Sequence, residues 1–190
     1  MKDNVKISEG VHFLIRDRHG KIKEDVWHDD MVAKTEEQHM KDDMKISGKV
    51  HFLIRDRHGR IKENVWHDNL VVTTGRNHVA DQMSDAGEAA MSHMAIGTGT
   101  NAVLASDTAL QTELSRKELA SKTQGTGDPG ARQVTYIADW AAGEGTGAIT
   151  EAGIFNSASA GTMLCRSVFP VKNKGASDSL TMTWIITFSA

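Results

Sequence analysis

The chain has 190 residues and sets 22 Lys and Arg against 25 Asp and Glu, a net charge of -3 with its nine histidines neutral. That length buries a real core in one or two small domains, and the near balance of charge argues against a dedicated nucleic-acid binder, which carries a basic stripe. No run approaches the ~18 apolar residues of a membrane span, the opening MKDNVKISEG lacks the apolar stretch of a secretory leader, and 17 Gly against 2 Pro suit tight turns between short strands.

The first feature met along the chain is a tandem repeat. Val11 to Val32 returns as Val50 to Val71 at an offset of 39, and only four of the 22 positions differ: Lys21/Arg60, Asp25/Asn64, Asp30/Asn69 and Met31/Leu70. The likeness extends to KIS at Lys6 and Lys45 and, weakly, to His39/His78, Asp42/Asp81 and Met44/Met83, so the copies span 6–44 and 45–83. Two copies are too few for a solenoid. Each reads as a β-hairpin: Val11, Phe13 and Ile15 alternate with His12, Leu14 and Arg16. Asp17 to Gly20 then supplies a turn, and Ile22, Val26 and Trp27 carry the return strand. Asp56 and Gly59 mark the same turn in the second copy. A lone hairpin is marginal in water, so each must pair with something else.

Charge then drops: 30 of residues 1–83 are charged, against 17 of the 107 that follow. A boundary is therefore expected near Met83 to Glu88, separating a hairpin interaction arm (1–83) from an oligomerising domain (84–190). The second part opens with a strand at His93 to Ile96 and the turn Gly97 to Thr100. Ser106 and Asp107 can cap one short helix carrying Leu110 and Leu114. Strand-like runs follow at 117–123, 133–141, 148–155, 162–169 and 180–188, separated by GTGDPG, GEGTG, NSASAG and KNKGASDS. Such runs without βα alternation imply a mainly β, antiparallel β-sandwich of jelly-roll type, with N-terminal tandem hairpins and one or two short helices. The lone cysteine, Cys165, cannot form an internal disulfide, which fits a reducing cytoplasm; its apolar surroundings predict a buried structural thiol.

Several ordered motifs, HMAIGTGTNAVLASDTALQTEL, VTYIADWAAGEGTGAITEAGIFN and TMLCRSVFPVKNKGASDSLTMTWIITFS, resemble a family of virion structural proteins of tailed bacteriophages. The lead-in IRDRHGRIKENVWHDNLVVTTGRNHVADQM is similar to that family's N-terminal element, a hairpin followed by a short helix. The resemblance covers about Val50 to Ala190. It implies a β-rich fold, self-association (often as trimers), contact with the major capsid protein or other virion proteins, and no catalytic site. Members are described as capsid-decorating (cement) or tail-fibre-like. The expected setting is thus the virion, assembled in the host cytoplasm, with decoration of the head as the leading reading and a tail-fibre or tail-tip role in host attachment as the alternative. The hairpin copy at 6–44 departs from the family's pattern.

Sites of chemistry are sparse. Gly97-Thr-Gly-Thr-Asn-Ala102, with Glu118 beyond it, formally matches a dinucleotide fingerprint, but that fingerprint needs a helix starting at the glycines. A cofactor-binding enzyme is therefore the remote alternative, and no cofactor is expected. Gly143 to Gly147 lacks the Lys-Ser/Thr of a phosphate loop and reads as a hairpin connection. Eight of the nine histidines lie in the repeats. His28 and His67, each beside Asp, are the metal-ligand candidates, but a duplication doubles histidines without selecting ligands, and exposed or turn positions are the plainer expectation. The large aromatics Phe13, Trp27, Phe52 and Trp66 are the candidate interface anchors, with packing inside a domain an equal alternative.

Overall fold

A computed structural model describes residues 10–16, 22–29 and 44–189. The chain divides into two compact units, Met1–Asp42 and Asp43–Ala190. Within the first, β1 (Gly10–Arg16) and β2 (Ile22–Asp29) form a two-stranded antiparallel sheet. The predicted turn at Asp17 to Gly20 lies outside the described residues. The boundary expected near Met83 is corrected. It falls between the two hairpin copies, because the second copy is built into the sandwich.

The second unit is two five-stranded antiparallel sheets, the mainly β architecture expected. Its strands are β3 (Lys45–Arg55), β4 (Ile61–Asp68), β5 (Leu70–Val71), β6 (His93–Gly97), β7 (Glu113–Glu118), β8 (Ser121–Gln124), β9 (Gln133–Trp140), β10 (Gly147–Phe155), β11 (Met163–Lys174) and β12 (Ser179–Ser189). Sheet I runs β5-β11-β10-β6-β7 and sheet II runs β4-β3-β12-β9-β8. Successive hairpins alternate between sheets: β3–β4 in II, β6–β7 in I, β8–β9 in II and β10–β11 in I, with β12 closing sheet II between β3 and β9. The alternation of β12 explains its central place. Leu180, Met182, Trp184 and Ile186 are buried, while Thr181, Thr183, Ile185 and Thr187 face outward. Opposite them Met94, Ile96, Ile149, Ile154 and Phe169 complete the core, joined by Val50, Phe52 and Ile54 from β3.

Asp56 builds the β3–β4 turn as its sequence predicted. Its carboxylate accepts the N–H groups of His58 and Arg60, and Gly59 takes a φ of 80°. Three other expectations are corrected. The run 117–123 splits into β7 and β8, which lie in different sheets, because Leu119 and Ala120 donate to Ser92 and Ile137 on opposite layers. The Gly143 to Gly147 segment is a crossover between sheets rather than a hairpin, since β9 pairs with β12 and β10 with β11. No helix forms at Ser106: Asp107 accepts the N–H of Leu104 and an Arg166 N–H, and Leu114 belongs to β7.

The helix stands instead at α1 (Thr73–Ser84), where the lead-in resemblance places one. It has no side-chain N-cap. Val72 and Thr73 donate their N–H groups to Leu164 and Ala105 carbonyls, and Thr74 Oγ1 donates to Met163 O at 2.9 Å. Tertiary contacts therefore start this helix.

Candidate interaction surface

The two sheets present different outer faces. That of sheet I is covered by the 98–112 loop, which seats Leu110 over Ala95, Phe155, Met163 and Val72 in a second apolar cluster. A buried ion pair holds this loop down. Glu151, fully buried, accepts the N–H groups of Gly99 at 2.9 Å, Thr112 at 2.8 Å and Gln111 at 3.0 Å. Arg166 donates Nε at 3.0 Å and Nη2 at 2.8 Å to the same carboxylate, and Nη1 at 2.8 Å to Asp107. Burial pushes the Glu151 carboxyl up, but these N–H donors outweigh it and hold the pKa below the ordinary value. The glycines of the formal dinucleotide match serve this clamp: a Cβ on Gly97 would stand 2.5 Å from Thr112 O, and one on Gly99 2.5 Å from Glu151 Oε1.

Within the second unit, no loop or helix covers the outer face of sheet II as the 98–112 loop covers that of sheet I. The cross-strand rows of sheet II read Trp66, His51, Thr183, Ile137 and Asn64, Leu53, Thr181, Asp139. Leu53, Ile137 and Ile185 are half-buried among threonines, and Trp66 remains 49% exposed. The Trp66 ring is not loose. It stacks on His51 at 4.7 Å and 25°, while His51 Nε2 donates to Asn64 Oδ1 at 2.6 Å. A flat face carrying a pre-positioned aromatic amid small hydroxyl residues suits packing against another protein surface. A separate apolar groove of about 390 Å³ opens beside α1, lined by Val79, Met83, Met91, Tyr136 and Phe188.

The predicted site residues separate accordingly. Phe52 is fully buried and packs at 4.4 Å on Phe169, so it is corrected from interface anchor to core residue. Trp66 lies on the uncovered face. Phe13 and Trp27 stand in β1 and β2 at the register positions of Phe52 and Trp66; their side chains, and that of His28, lie outside the described part. His67 stacks on Phe169 at 5.2 Å, edge-on to Phe52, and burial together with the Lys172 charge lowers its pKa. Among the described residues no group of three or more His, Cys, Asp or Glu is placed to hold a metal ion. Cys165 is buried as predicted, and burial pushes its thiol pKa well up.

The clamp escaped the sequence reading, although a signal existed. Glu151 and Arg166 are isolated opposite charges inside two apolar runs joined by one turn. No family model, curated protein or solved structure matches this chain.

Proposed function

We propose that this chain is a structural protein of a tailed-phage particle that decorates the assembled head. The sandwich packs against copies of itself and its neighbours through the outer face of sheet II, with a trimer as the expected assembly. The first hairpin serves as an arm toward the major capsid protein or another virion component. The observation that carries this reading is the unequal fate of the two copies. One hairpin is built into the sandwich through eleven residue pairs along β12, and the other forms a separate two-stranded unit. A two-stranded sheet is marginal in water and presents two strand edges, which suits strand addition to a neighbour. The motif resemblance to phage virion proteins supports the same reading. A subunit that binds only the assembled shell stabilises it by mass action.

The alternative is a tail-fibre or tail-tip component that contributes to host attachment; the exposed Trp66 face suits receptor contact as well. Quantitative mass spectrometry of purified particles separates them. A copy number in fixed, high ratio to the major capsid protein is the expected result. A few copies per particle would favour the tail, and absence from purified particles would overturn the virion reading altogether.

A further inference from the structure

We infer that the slot beside β12, together with the seat of α1 on β11, is selective for the second copy, and that Gly48 and Asn69 at the slot and Gly75 at the seat are the residues that make it so. The two hairpins present the slot with the same apolar residues, since Val11, Phe13 and Ile15 stand at the positions of Val50, Phe52 and Ile54. Their registers also agree: Phe13 faces Val26 as Phe52 faces Val65, and both carry a bulge before Arg16 or Arg55. Hydrophobic match and strand register therefore cannot choose between them. A slot that takes either hairpin would leave the chain with two interchangeable folds, in one copy or exchanged between copies.

The choice is made at three positions where the sandwich admits no bulk or no charge. A Cβ on Gly48 would meet the Asn69 side chain and stand 2.7 Å from Ile186 Cδ1 and 2.9 Å from the Ile185 carbonyl oxygen. A Cβ on Gly75 would run into the Leu164 carbonyl, 2.6 Å from its carbon, so α1 could not lie on β11. Asn69 accepts the Trp184 indole N–H at 3.0 Å, and its buried amide nitrogen has no hydrogen-bond partner among the described residues. A carboxylate in its place would be buried with one neutral donor. At the offset of 39 the first copy carries Glu9 for Gly48, Asp30 for Asn69 and Glu36 for Gly75. All three replacements are acidic, and two of them add a side chain where backbone stands. Ala33 in place of the fully buried Val72 adds a smaller mismatch. The first hairpin is thereby kept out of this slot in its own chain and in any other copy, which leaves it available for a different partner.

The test uses the full chain with cysteines at strand-paired positions. His51 is the Cα partner of Thr183, so His51→Cys with Thr183→Cys reports the second hairpin in the slot. His12→Cys with Thr183→Cys reports the first. Each is closed with a short dithiol-reactive cross-linker at low protein concentration, and mass spectrometry separates single-chain from two-chain products. The expected result is an efficient 51–183 link and a 12–183 link at least about tenfold weaker. Glu9→Gly, Asp30→Asn and Glu36→Gly together should raise the 12–183 link about tenfold or more. The three added substitutions of that variant all lie outside the sandwich, whose one change, Thr183→Cys, is shared with the control, so the comparison does not turn on the folding of the sandwich. Comparable 12–183 and 51–183 links in the unaltered background, within one chain or between chains, would overturn the inference. So would a triple variant that leaves the 12–183 link unchanged.

Discussion

At the scale of single residues, Glu151 shows how one carboxylate organises a long loop. Its two oxygens take three backbone N–H groups from the 98–112 loop and two from Arg166. Glu151→Gln would remove the fully buried one of the two carboxylates that pair with Arg166 and leave the guanidinium with Asp107 alone. Breaking a buried pair from one side costs about 3–5 kcal/mol, and the remaining Asp107 makes that the upper end here. We expect a loss up to that size in urea denaturation at neutral pH. The pH dependence follows from the lowered pKa. The folded carboxyl titrates below its unfolded value of 4.5, so its contribution is complete above that value and drains away as pH falls through the folded pKa. The stability of the unaltered chain should therefore fall below pH 4.5, and that of the Glu151→Gln variant should fall less steeply over the same window. Lys174 is a second case of a hidden charge. Its ammonium donates to Ala141 O at 2.9 Å and Asp178 O at 2.7 Å, and burial lowers its pKa. The backbone partners of both networks, the N–H groups of Gly99, Gln111 and Thr112 for Glu151 and the Ala141 carbonyl for Lys174, lie far along the chain and leave no local mark in the sequence.

At the scale of elements, the strands were largely legible and their partners were not. Runs bounded by Gly-rich turns predicted β6, β9, β10 and β12 closely, and in β12 one buried face imposes a period of two on its residues. The 98–112 loop defeated the same reasoning. Its Ser-Asp cap and spaced leucines suit a helix turn, but Glu151 offers its N–H groups a better set of partners. Nearly identical hairpin sequences also carry different weight according to their surroundings. Phe52→Ala should lower sandwich stability by about 3–5 kcal/mol, since the ring is fully buried between the sheets. Phe13→Ala, in the separate unit, should leave the sandwich's denaturation midpoint unchanged. Near-UV circular dichroism through a urea titration reads both, because Trp140 and Trp184 sit in the sandwich core. Equal losses from the two variants would show that the hairpins share one cooperative unit.

At the scale of the whole molecule, the two sheets of the sandwich differ in what covers their outer faces, and the proposed association rests on that difference. Sheet I spends its outer face on its own loop, while the second unit places no such cover over Leu53, Trp66, Ile137 and Ile185 of sheet II. Trp66→Ala removes a half-exposed ring, so subunit stability should change by no more than about 0.5 kcal/mol. Its self-association constant should fall at least about tenfold, the expected effect of truncating an aromatic anchor. Sedimentation velocity over a concentration series measures it. An unchanged constant would move the contact face away from sheet II.

By itself the sequence determined that this is a β-protein with a duplicated hairpin and a buried thiol. Those properties follow from local rules, in which each strand, turn and repeat announces itself within a few neighbouring residues. Only the tertiary structure decided that the division lies between the two hairpins, that Phe52 is core and Trp66 surface, and that two isolated charges form a clamp. The physical reason is that burial belongs to the pairing of distant strands. Two hairpins with nearly the same side chains become an internal wall and a separate unit because small or neutral residues at Gly48 and Asn69, beside β12, and at Gly75, where α1 meets β11, match one copy alone.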